Sequence, residues 1–164
     1  MIRKIKNHVL SDKRGSLLKN YSALKKEFTI KESIFSYNKP DVIRGMYMQT
    51  GKFCESKLIT MIYGSLTWVA VDLRKKSKTF MKVYKIKLKK NDSIFIPKGY
   101  AHGSISHKET LLHIMTDNVY NDKKAIKIKY NDKSLKIKWP IKKKMIISND
   151  HLSYKDLNSY KVLR

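Results

Sequence analysis

The side chains of Tyr47, Lys57 and His102 are titratable and have types that suit acid–base chemistry. Tyr47 is followed two residues later by Gln49, so on a strand the two side chains share one face. Phenol and imidazole groups can transfer protons, and an ammonium group can hold developing negative charge. Catalytic transition metals usually have three protein ligands. Next to Tyr47 and Gln49, only the imidazole of His102 is of a type that commonly binds such a metal. The sequence therefore predicts a site without a metal and without a cofactor.

Each candidate also has a plainer interpretation. Tyr47 fits a core tyrosine with a bonded hydroxyl, and His102 fits a histidine that braces its own turn. His113, which shares a face with Met115, is expected to point inward, either as a relocated acid or base or as a satisfied core histidine. Met115 itself fits ordinary packing. Asp132 is either a polar site residue or a turn residue, since Asp favours turns.

Predicted strands position these residues. The apolar runs Leu58–Tyr63 and Leu66–Val71, joined by Gly64-Ser65, are typical of a hairpin, with Lys57 at its entrance. The turn Pro97–Gly103 carries His102. Further short runs with turn signals between them favour a sandwich or barrel. The other predicted strands are Phe80–Leu88, Ile94–Ile96, Leu111–Met115, and a second hairpin formed by Ile126–Tyr130 and Leu135–Trp139.

Helices are expected only at the periphery. Leu17–Thr29 is the best candidate, although it also fits a strand followed by a helix, and Ser148 has the form of a helix N-cap. The predicted fold is all-β, a cupin-type jelly-roll barrel with short peripheral helices. We expect one domain over residues 1–164, with a core at about 42–140, an N-terminal arm at 1–41 and a C-terminal segment at 141–164.

The charge of the chain allows two interpretations. Lys and Arg total 37 against 13 Asp and Glu, a formal net charge of +24 at pH 7. This fits a nucleic-acid binder. It also fits lysines on the solvated faces of strands, which the alternation at Lys127, Lys129, Lys136 and Lys138 favours. Nucleic acid is therefore the less favoured partner, while the surface field suits anionic ligands in either case.

Cysteine content and hydropathy indicate a reduced, non-membrane environment. Cys54 is the single cysteine, which excludes an internal disulfide and a cysteine metal cluster. No run of 18 apolar residues exists, so no membrane span is expected. The N-terminal sequence lacks the apolar core of a signal peptide, and we expect a cytoplasmic protein. His8, His107 and His151 lie in lysine-rich or terminal segments and are expected to be solvated.

Several motifs together resemble the dTDP-4-dehydrorhamnose 3,5-epimerase family. They occur in the family's order over nearly the whole chain, from about Asp12 onward: Val42–Gln49, Lys57-Leu58, Val71–Phe80, Ile96–Gly103, Tyr130–Pro140 and Ile146–Asp150. The resemblance implies a metal-free jelly-roll barrel, a homodimer, and a nucleotide-linked 4-keto sugar as ligand.

The resemblance also implies a chemistry, which is removal of a proton beside the C4 ketone and its return on the other face. Lys57 and Asp132 match the residue that steadies the enolate and the residue that steers the base. The family's histidine base corresponds to Tyr47, and its tyrosine acid, thirteen residues past His102, falls at Met115. Both proton-transfer residues are therefore replaced. We expect a protonated Tyr47 phenol that is hydrogen-bonded toward Asp132.

Positions that bind the ligand in the family are only partly kept. Arg14 and Ser36 match them, Tyr120 keeps an aromatic position, and Arg44 and Gln49 complete the expected binding set. A stacking aromatic of the family falls at Leu17, and an acidic residue falls at Lys19.

Three functions follow from these observations. The first is an enzyme on a nucleotide-linked 4-keto sugar, acting as a single-centre epimerase or ketoisomerase in deoxysugar or surface polysaccharide biosynthesis. The second is an inactive homologue that binds the nucleotide sugar. The third is a nucleic-acid binder driven by charge.

Overall fold

Two five-stranded antiparallel sheets form the body of the protein in this computed structural model, which describes residues 1–21, 27–141 and 144–160. The strands are β1 Arg3–Ile5, β2 His8–Asp12, β3 Gly15–Lys19, β4 Glu32–Asn38, β5 Ile43–Gln49, β6 Lys57–Tyr63, β7 Ser65–Asp72, β8 Val83–Lys89, β9 Ser93–Ile96, β10 Tyr100–Ser106, β11 Thr110–Thr116 and β12 Ala125–Lys127. One sheet has the order β1-β9-β6-β11-β4, and the other has the order β12-β5-β10-β7-β8. Strands β2 and β3 form a separate hairpin. The predicted all-β jelly-roll barrel is confirmed.

Alternation along the strands divides the apolar residues between the barrel interior and its outer faces. Inside, one end of the barrel is filled by a cluster that includes Ile59, Met61, Leu66, Trp68, Leu88, Ile94, Ile96 and Leu112. Outside, Met46, Val71 and Ile126 of the second sheet pack beneath Leu135 and Leu157 of the C-terminal segment. Because the inner cluster fills only one end, the polar residues of β5 and β10 line a cavity at the other.

Two glycines allow β5 and β10 to approach each other closely. Gly45 has φ +98°, and a Cβ there would lie 2.6 Å from the carbonyl oxygen of His102. A Cβ at Gly103 would lie 2.5 Å from the carbonyl oxygen of Arg44. The Arg-Gly and His-Gly pairs seen in the sequence are thus a steric requirement of this contact, which brings Tyr47 and His102 into register.

The predicted hairpin over 58–71 is wrong in its pairing, although both of its strands exist. Strand β6 pairs with β9 and β11, whereas β7 pairs with β10 and β8 in the opposite sheet. Gly64 lies at the corner between them with φ +85°, and a Cβ there would lie 1.8 Å from the Glu109 carbonyl oxygen. The turn therefore carries the chain from one sheet to the other.

The second predicted hairpin is also wrong. Residues 133–135 form a 3₁₀ turn, and Lys136 follows in the left-handed conformation with φ 51°. Leu135 packs into the core, and the Trp139 indole nitrogen donates to the Tyr130 carbonyl oxygen at 2.7 Å. The alternating pattern there reflects side chains that cover the second sheet and form no strand.

Helical structure is short and peripheral, as predicted. The α-helix α1, Asn149–Leu152, begins after Ser148, whose Oγ accepts from the His151 backbone N–H at 3.3 Å. A helix from the start of Leu17–Thr29 is wrong, because β3 pairs with β2 there. That strand agrees with the alternative of a strand followed by a helix, and residues 22–26 lie outside the described part of the chain. In the described ranges, no helix has the length and apolar character needed to cross a membrane.

Candidate functional site

A cavity of about 350 Å³ opens between the two sheets at the end that the inner core leaves unfilled. This volume is in the range that suits a small-molecule ligand. Strands from both sheets and the C-terminal helix contribute its lining, which includes Glu32, Ile34, Ser36, Arg44, Tyr47, Glu55, Lys57, Trp68, His102, Ser104, Leu112, Ile114, Tyr120, Lys127, Asp150, His151 and Tyr154.

The Tyr47 side chain projects from β5 into this cavity. Its hydroxyl donates to Glu55 Oε1 at 3.1 Å. The prediction that this hydroxyl bonds toward Asp132 is therefore wrong. Burial, followed by the charge and hydrogen bond of Glu55, raises the pKa of the phenol far above its ordinary value. Tyr47 is therefore neutral at physiological pH, which suits it to donate a proton.

Glu55 and Lys57 form a buried ion pair beside Tyr47. Lys57 Nζ lies 2.8 Å from Glu55 Oε1, and the side chains are 10% and 3% exposed respectively. The same ammonium nitrogen lies 5.6 Å from the centre of the Tyr47 ring. Residues two apart in an extended segment point to the same side, so Glu55, just before β6, and Lys57, its first residue, both reach the cavity.

His102 forms the wall next to Tyr47. Its ring stacks on Trp68 at 5.6 Å and meets the Tyr47 ring edge-on at 5.5 Å. Burial, and then the Lys57 cation, lower the pKa of His102 to about 3. The imidazole is consequently neutral at physiological pH, while Nδ1 lies 3.3 Å from the Tyr100 carbonyl oxygen.

Polar side chains line the remainder of the cavity, and three of them, Ser36, Arg44 and Tyr120, belong to the predicted binding set. The Arg44 guanidinium is held by Nε donating to Asn38 Oδ1. The Tyr120 hydroxyl donates to Asp122 Oδ1 at 2.6 Å. A guanidinium group fixed in this way can offer its other N–H groups to an anionic oxygen.

Several lining residues were not predicted from the sequence. Lys127, interpreted as solvated, lines the cavity and pairs with Asp122 at 2.7 Å. His151, expected in solvent, also lines it, and burial lowers the pKa of its imidazole. The predicted Ser148 cap could have indicated the position of His151, because the cap fixes the helix whose first turns hold it. Glu55 had no comparable signal beyond its spacing from Lys57.

The expectation that His113 faces inward is wrong. His113 lies on the outer face of β11, where Nε2 is 2.8 Å from Ser33 Oγ and the ring stacks on Phe35 at 4.7 Å. Met115 shares that face and packs in an outer cluster with Phe28, Leu58 and Phe95. The β11 side chains that face the cavity are Leu112 and Ile114. This strand therefore supplies apolar groups to the cavity and no titratable side chain.

Three more predicted site residues lie away from the cavity. Asp132 is buried and accepts from the Ser134 backbone and hydroxyl, each at 2.7 Å, and from the Leu157 backbone N–H at 2.5 Å. Asp132 thus fastens the C-terminal segment, which supports the turn interpretation. Gln49 is 2% exposed, and among the described residues the partners of its side chain are backbone groups, including the Asn121 N–H at 2.6 Å.

Arg14 lies at the turn of the β2–β3 hairpin with its side chain 85% exposed. Its guanidinium pairs with Asp12 Oδ2 at 2.6 Å and lines a different surface pocket. Within one chain, Arg14 does not contribute to the cavity.

The assembled groups can donate and accept protons and can hold an anion. Tyr47 supplies a neutral hydroxyl, Glu55 a carboxylate, Lys57 a cation, and Arg44 a guanidinium at the same cavity. In the three described ranges, no three His, Cys, Asp or Glu side chains converge as they would around a metal ion.

Comparisons with known proteins identify the family of this chain. A family model described as dTDP-4-dehydrorhamnose 3,5-epimerase matches residues 2–162. The dTDP-4-dehydrorhamnose 3,5-epimerase of Shigella flexneri is 30% identical over 162 residues, which cover 93% of this chain and 86% of that protein. The crystal structure of the enzyme of that name from Elizabethkingia anophelis NUHP1 superposes with a TM-score of 0.87 at 29% identity, over 96% of this chain and 92% of that one.

A further structure carries a ligand. The dTDP-6-deoxy-D-glucose-3,5-epimerase of Legionella pneumophila Philadelphia 1, solved with dTDP-4-keto-L-rhamnose, superposes with a TM-score of 0.89 at 25% identity, over 98% of this chain and 90% of that one. The family match spans nearly the whole chain, and the relatives share its fold over nearly their whole length. This chain belongs to the dTDP-4-dehydrorhamnose 3,5-epimerase family.

Proposed function

We propose that this protein is an enzyme that exchanges a proton beside the ketone of a nucleotide-linked 4-keto sugar. The observation that carries the proposal is that Tyr47, Glu55 and Lys57 meet at one cavity, which Arg44 also lines. Proton removal next to a ketone needs an acceptor for the proton and a positive group for the enolate oxygen. Both are present, and the ligand of the Legionella relative is a 4-keto sugar nucleotide.

The lining of the cavity supports reaction at a single stereocentre. Tyr47 and His102 enter the cavity from β5 and β10 of the second sheet, and the β11 side chains that line it from the first sheet, Leu112 and Ile114, are apolar. A sugar between the two sheets meets the Tyr47 hydroxyl from one sheet and the apolar β11 side chains from the other, while Glu55 and Lys57 reach it from the β6 side. The product is accordingly a single-centre epimer or a ketoisomer formed in deoxysugar biosynthesis.

The nucleotide diphosphate is expected to bind at Arg44, with Lys127 and Tyr120 nearby. Arg can hold phosphate oxygens with two parallel hydrogen bonds. The net charge of +24 favours approach of such an anion.

We further propose a homodimer in which the β2–β3 hairpin packs against a second copy. The hairpin exposes Val9, Leu10 and Leu17, at 38%, 50% and 53%. The outer face of the first sheet exposes Phe35 and Tyr37 at 66% and 55%. Exposed apolar patches are typical of protein interfaces. Such an arrangement gives Arg14, which is remote from its own cavity, a path to the cavity of its partner.

A second candidate is an inactive homologue that binds the nucleotide sugar, and the neutral state of the Tyr47 phenol favours it. Incubation of the protein with dTDP-linked 4-keto hexoses in deuterated water, read by mass spectrometry, separates the two. Deuterium incorporation supports the enzyme, and tight binding without incorporation supports the inactive homologue. Affinity for DNA or RNA that is indifferent to sequence and falls steeply with salt, without nucleotide binding, would support a nucleic-acid binder instead.

A further inference from the structure

We propose that the carboxylate of Glu55 is the final proton acceptor of this site and that the Tyr47 hydroxyl relays the substrate proton to it. This inference deepens the proposed function and depends on it. It assigns the role of the base to a residue of the segment between β5 and β6.

Tyr47 alone is a poor base in this geometry. Its hydroxyl already donates to Glu55 Oε1, and the two oxygens are 3.1 Å apart. A phenolate preformed at neutral pH is disfavoured because burial and the nearby carboxylate both oppose the negative charge. Tyr47 can accept a proton only while it gives its own away, and the group positioned to receive that proton is Glu55.

The other groups near Tyr47 are less suitable acceptors. His102 meets the Tyr47 ring edge-on, but the same burial and Lys57 cation that keep it neutral make it a weak base. Tyr120 lies 6.1 Å from Tyr47 between ring centres, and its hydroxyl donates to Asp122. Asp132 is occupied by Ser134 and Leu157 outside the cavity. Glu32 also lines the cavity, but among the residues that the structure describes the carboxylate that accepts from the Tyr47 hydroxyl is Glu55.

The proposed step conserves atoms and charge. The C–H bond next to the ketone breaks, and its electron pair forms the enolate. The Tyr47 oxygen bonds the released proton while the original phenolic proton moves to Glu55 Oε1, so Tyr47 stays neutral throughout. Glu55 changes from a carboxylate to a carboxylic acid. The negative charge has moved from Glu55 to the enolate oxygen, and the reverse transfer returns a proton to carbon.

Lys57 gives this relay a driving force. Before the step its ammonium group is neutralised by Glu55 at 2.8 Å. After the step the carboxyl group is neutral, and the cation is left to stabilise the enolate. Because the Glu55 side chain is 3% exposed, water has little access to the proton it holds. The original substrate hydrogen is then on the Tyr47 oxygen, and direct reversal of the step returns it to carbon. We therefore expect partial return of that hydrogen before exchange with solvent.

Deuterium exchange into a dTDP-linked 4-keto hexose tests the relay with three variants. Glu55→Gln, which keeps the shape of the side chain but removes the charge, should lower the exchange rate by about 10²- to 10⁴-fold, the range of general acid–base catalysis. Tyr47→Phe removes the relay hydroxyl and leaves the Glu55–Lys57 pair intact, and should cause a loss of similar size. Glu27→Gln, on an exposed glutamate paired with Arg3, is the matched control and should leave the rate unchanged.

The pH profile of the wild-type protein tests the same point without a substitution, which covers the possibility that Glu55→Gln fails to fold. A relay through the neutral Tyr47 phenol predicts a rate that is level between about pH 6 and 9, because no phenolate has to form. A phenolate base predicts a rate that keeps rising about tenfold per pH unit across that range.

Two results would overturn the relay while the proposed function stands. One is a wild-type exchange rate that keeps rising with pH, and the other is exchange at the wild-type rate by folded Glu55→Gln. Ligand binding without exchange by the wild-type protein overturns the proposed function, and with it the relay.

Discussion

The Lys57 ammonium nitrogen lies 2.8 Å from Glu55 Oε1 inside the barrel, and little of either side chain contacts solvent. Lys57→Met should lower the free energy of unfolding by about 3–5 kcal/mol, because it leaves a buried carboxylate without its partner. The double variant Lys57→Met/Glu55→Gln should lose less than Lys57→Met alone, since no uncompensated charge remains. Urea denaturation of the three proteins measures both effects.

The exposed pair of Arg3 and Glu27 is the control for this prediction. Its side chains are 44% and 55% exposed, so Arg3→Met should change the free energy of unfolding by about 1 kcal/mol or less. A loss in Lys57→Met no larger than that in Arg3→Met would show that the cavity pair is solvated and contributes little.

Because His102 is buried, the free energy of unfolding should fall in mild acid. Folding lowers its pKa from 6.5 to about 3, so the unfolded chain binds a proton that the folded chain excludes. The stabilisation is complete above pH 6.5 and is lost as pH falls from 6.5 toward 3. The slope from this residue is at most about 1.4 kcal/mol per pH unit.

Denaturation curves of wild-type protein and His102→Gln at several pH values between about 4.5 and 7.5, below and above the ordinary histidine pKa, measure this slope. His102→Gln should show a shallower dependence, and His8→Gln, on the exposed strand β2, should follow the wild type. Equal slopes in all three proteins would mean that His102 is protonated in the folded state.

Arg44 is expected to carry much of the affinity for a nucleoside diphosphate. Its guanidinium lines the cavity and is oriented by Asn38. Arg44→Ala should weaken binding by about 1.5–3 kcal/mol, the scale of hydrogen bonds to charged groups. Calorimetry with dTDP measures the change. Arg3→Ala, which removes an exposed arginine elsewhere, should bind as the wild type does, and equal weakening in both would indicate only a general charge effect.

Motif spacing predicts the part of the site that strands position. Tyr47, Lys57 and His102 each belong to a local pattern, and the strand register brings all three to one cavity. The role of Glu55 cannot be predicted from motif spacing, because Glu55 lies in an irregular segment after the 3₁₀ turn Gly51–Phe53. Its contacts depend on how that segment folds back over β5, and no periodicity in the sequence encodes this.

Pairing between strands is the part of the fold that local patterns leave open. The runs of β6 and β7 with Gly64 between them satisfy the pattern of a hairpin, yet the two strands lie in opposite sheets. Likewise, Asp132 occupies a motif position but bonds Ser134 and Leu157, because the C-terminal segment folds onto it. In both cases long-range packing decides between structures that the local sequence allows equally.

Ile114 offers a test of whether the lack of an acid on β11 limits the reaction to one face of the sugar. It faces the cavity from the sheet opposite Tyr47, whereas Met115 points into the outer cluster with Phe28 and Leu58. The family resemblance places a tyrosine acid on this strand, and the structure identifies Ile114 as the inward position. Ile114→Tyr should therefore supply a phenol to the second face of the sugar and increase epimer formation relative to simple exchange.

Met115→Tyr is the matched control for this last prediction. It adds the same phenol one residue away, but on the face that packs against Phe28 and Leu58, where overpacking should cost about 1–3 kcal/mol of stability without changing the products. Nuclear magnetic resonance of a dTDP-linked 4-keto hexose after incubation distinguishes epimer from deuterated substrate. If Met115→Tyr increased epimer formation as much as Ile114→Tyr, the apolar wall of β11 would not be what confines the reaction to one face. If neither variant did, the second face would be limited by how the sugar is held and not by the missing acid.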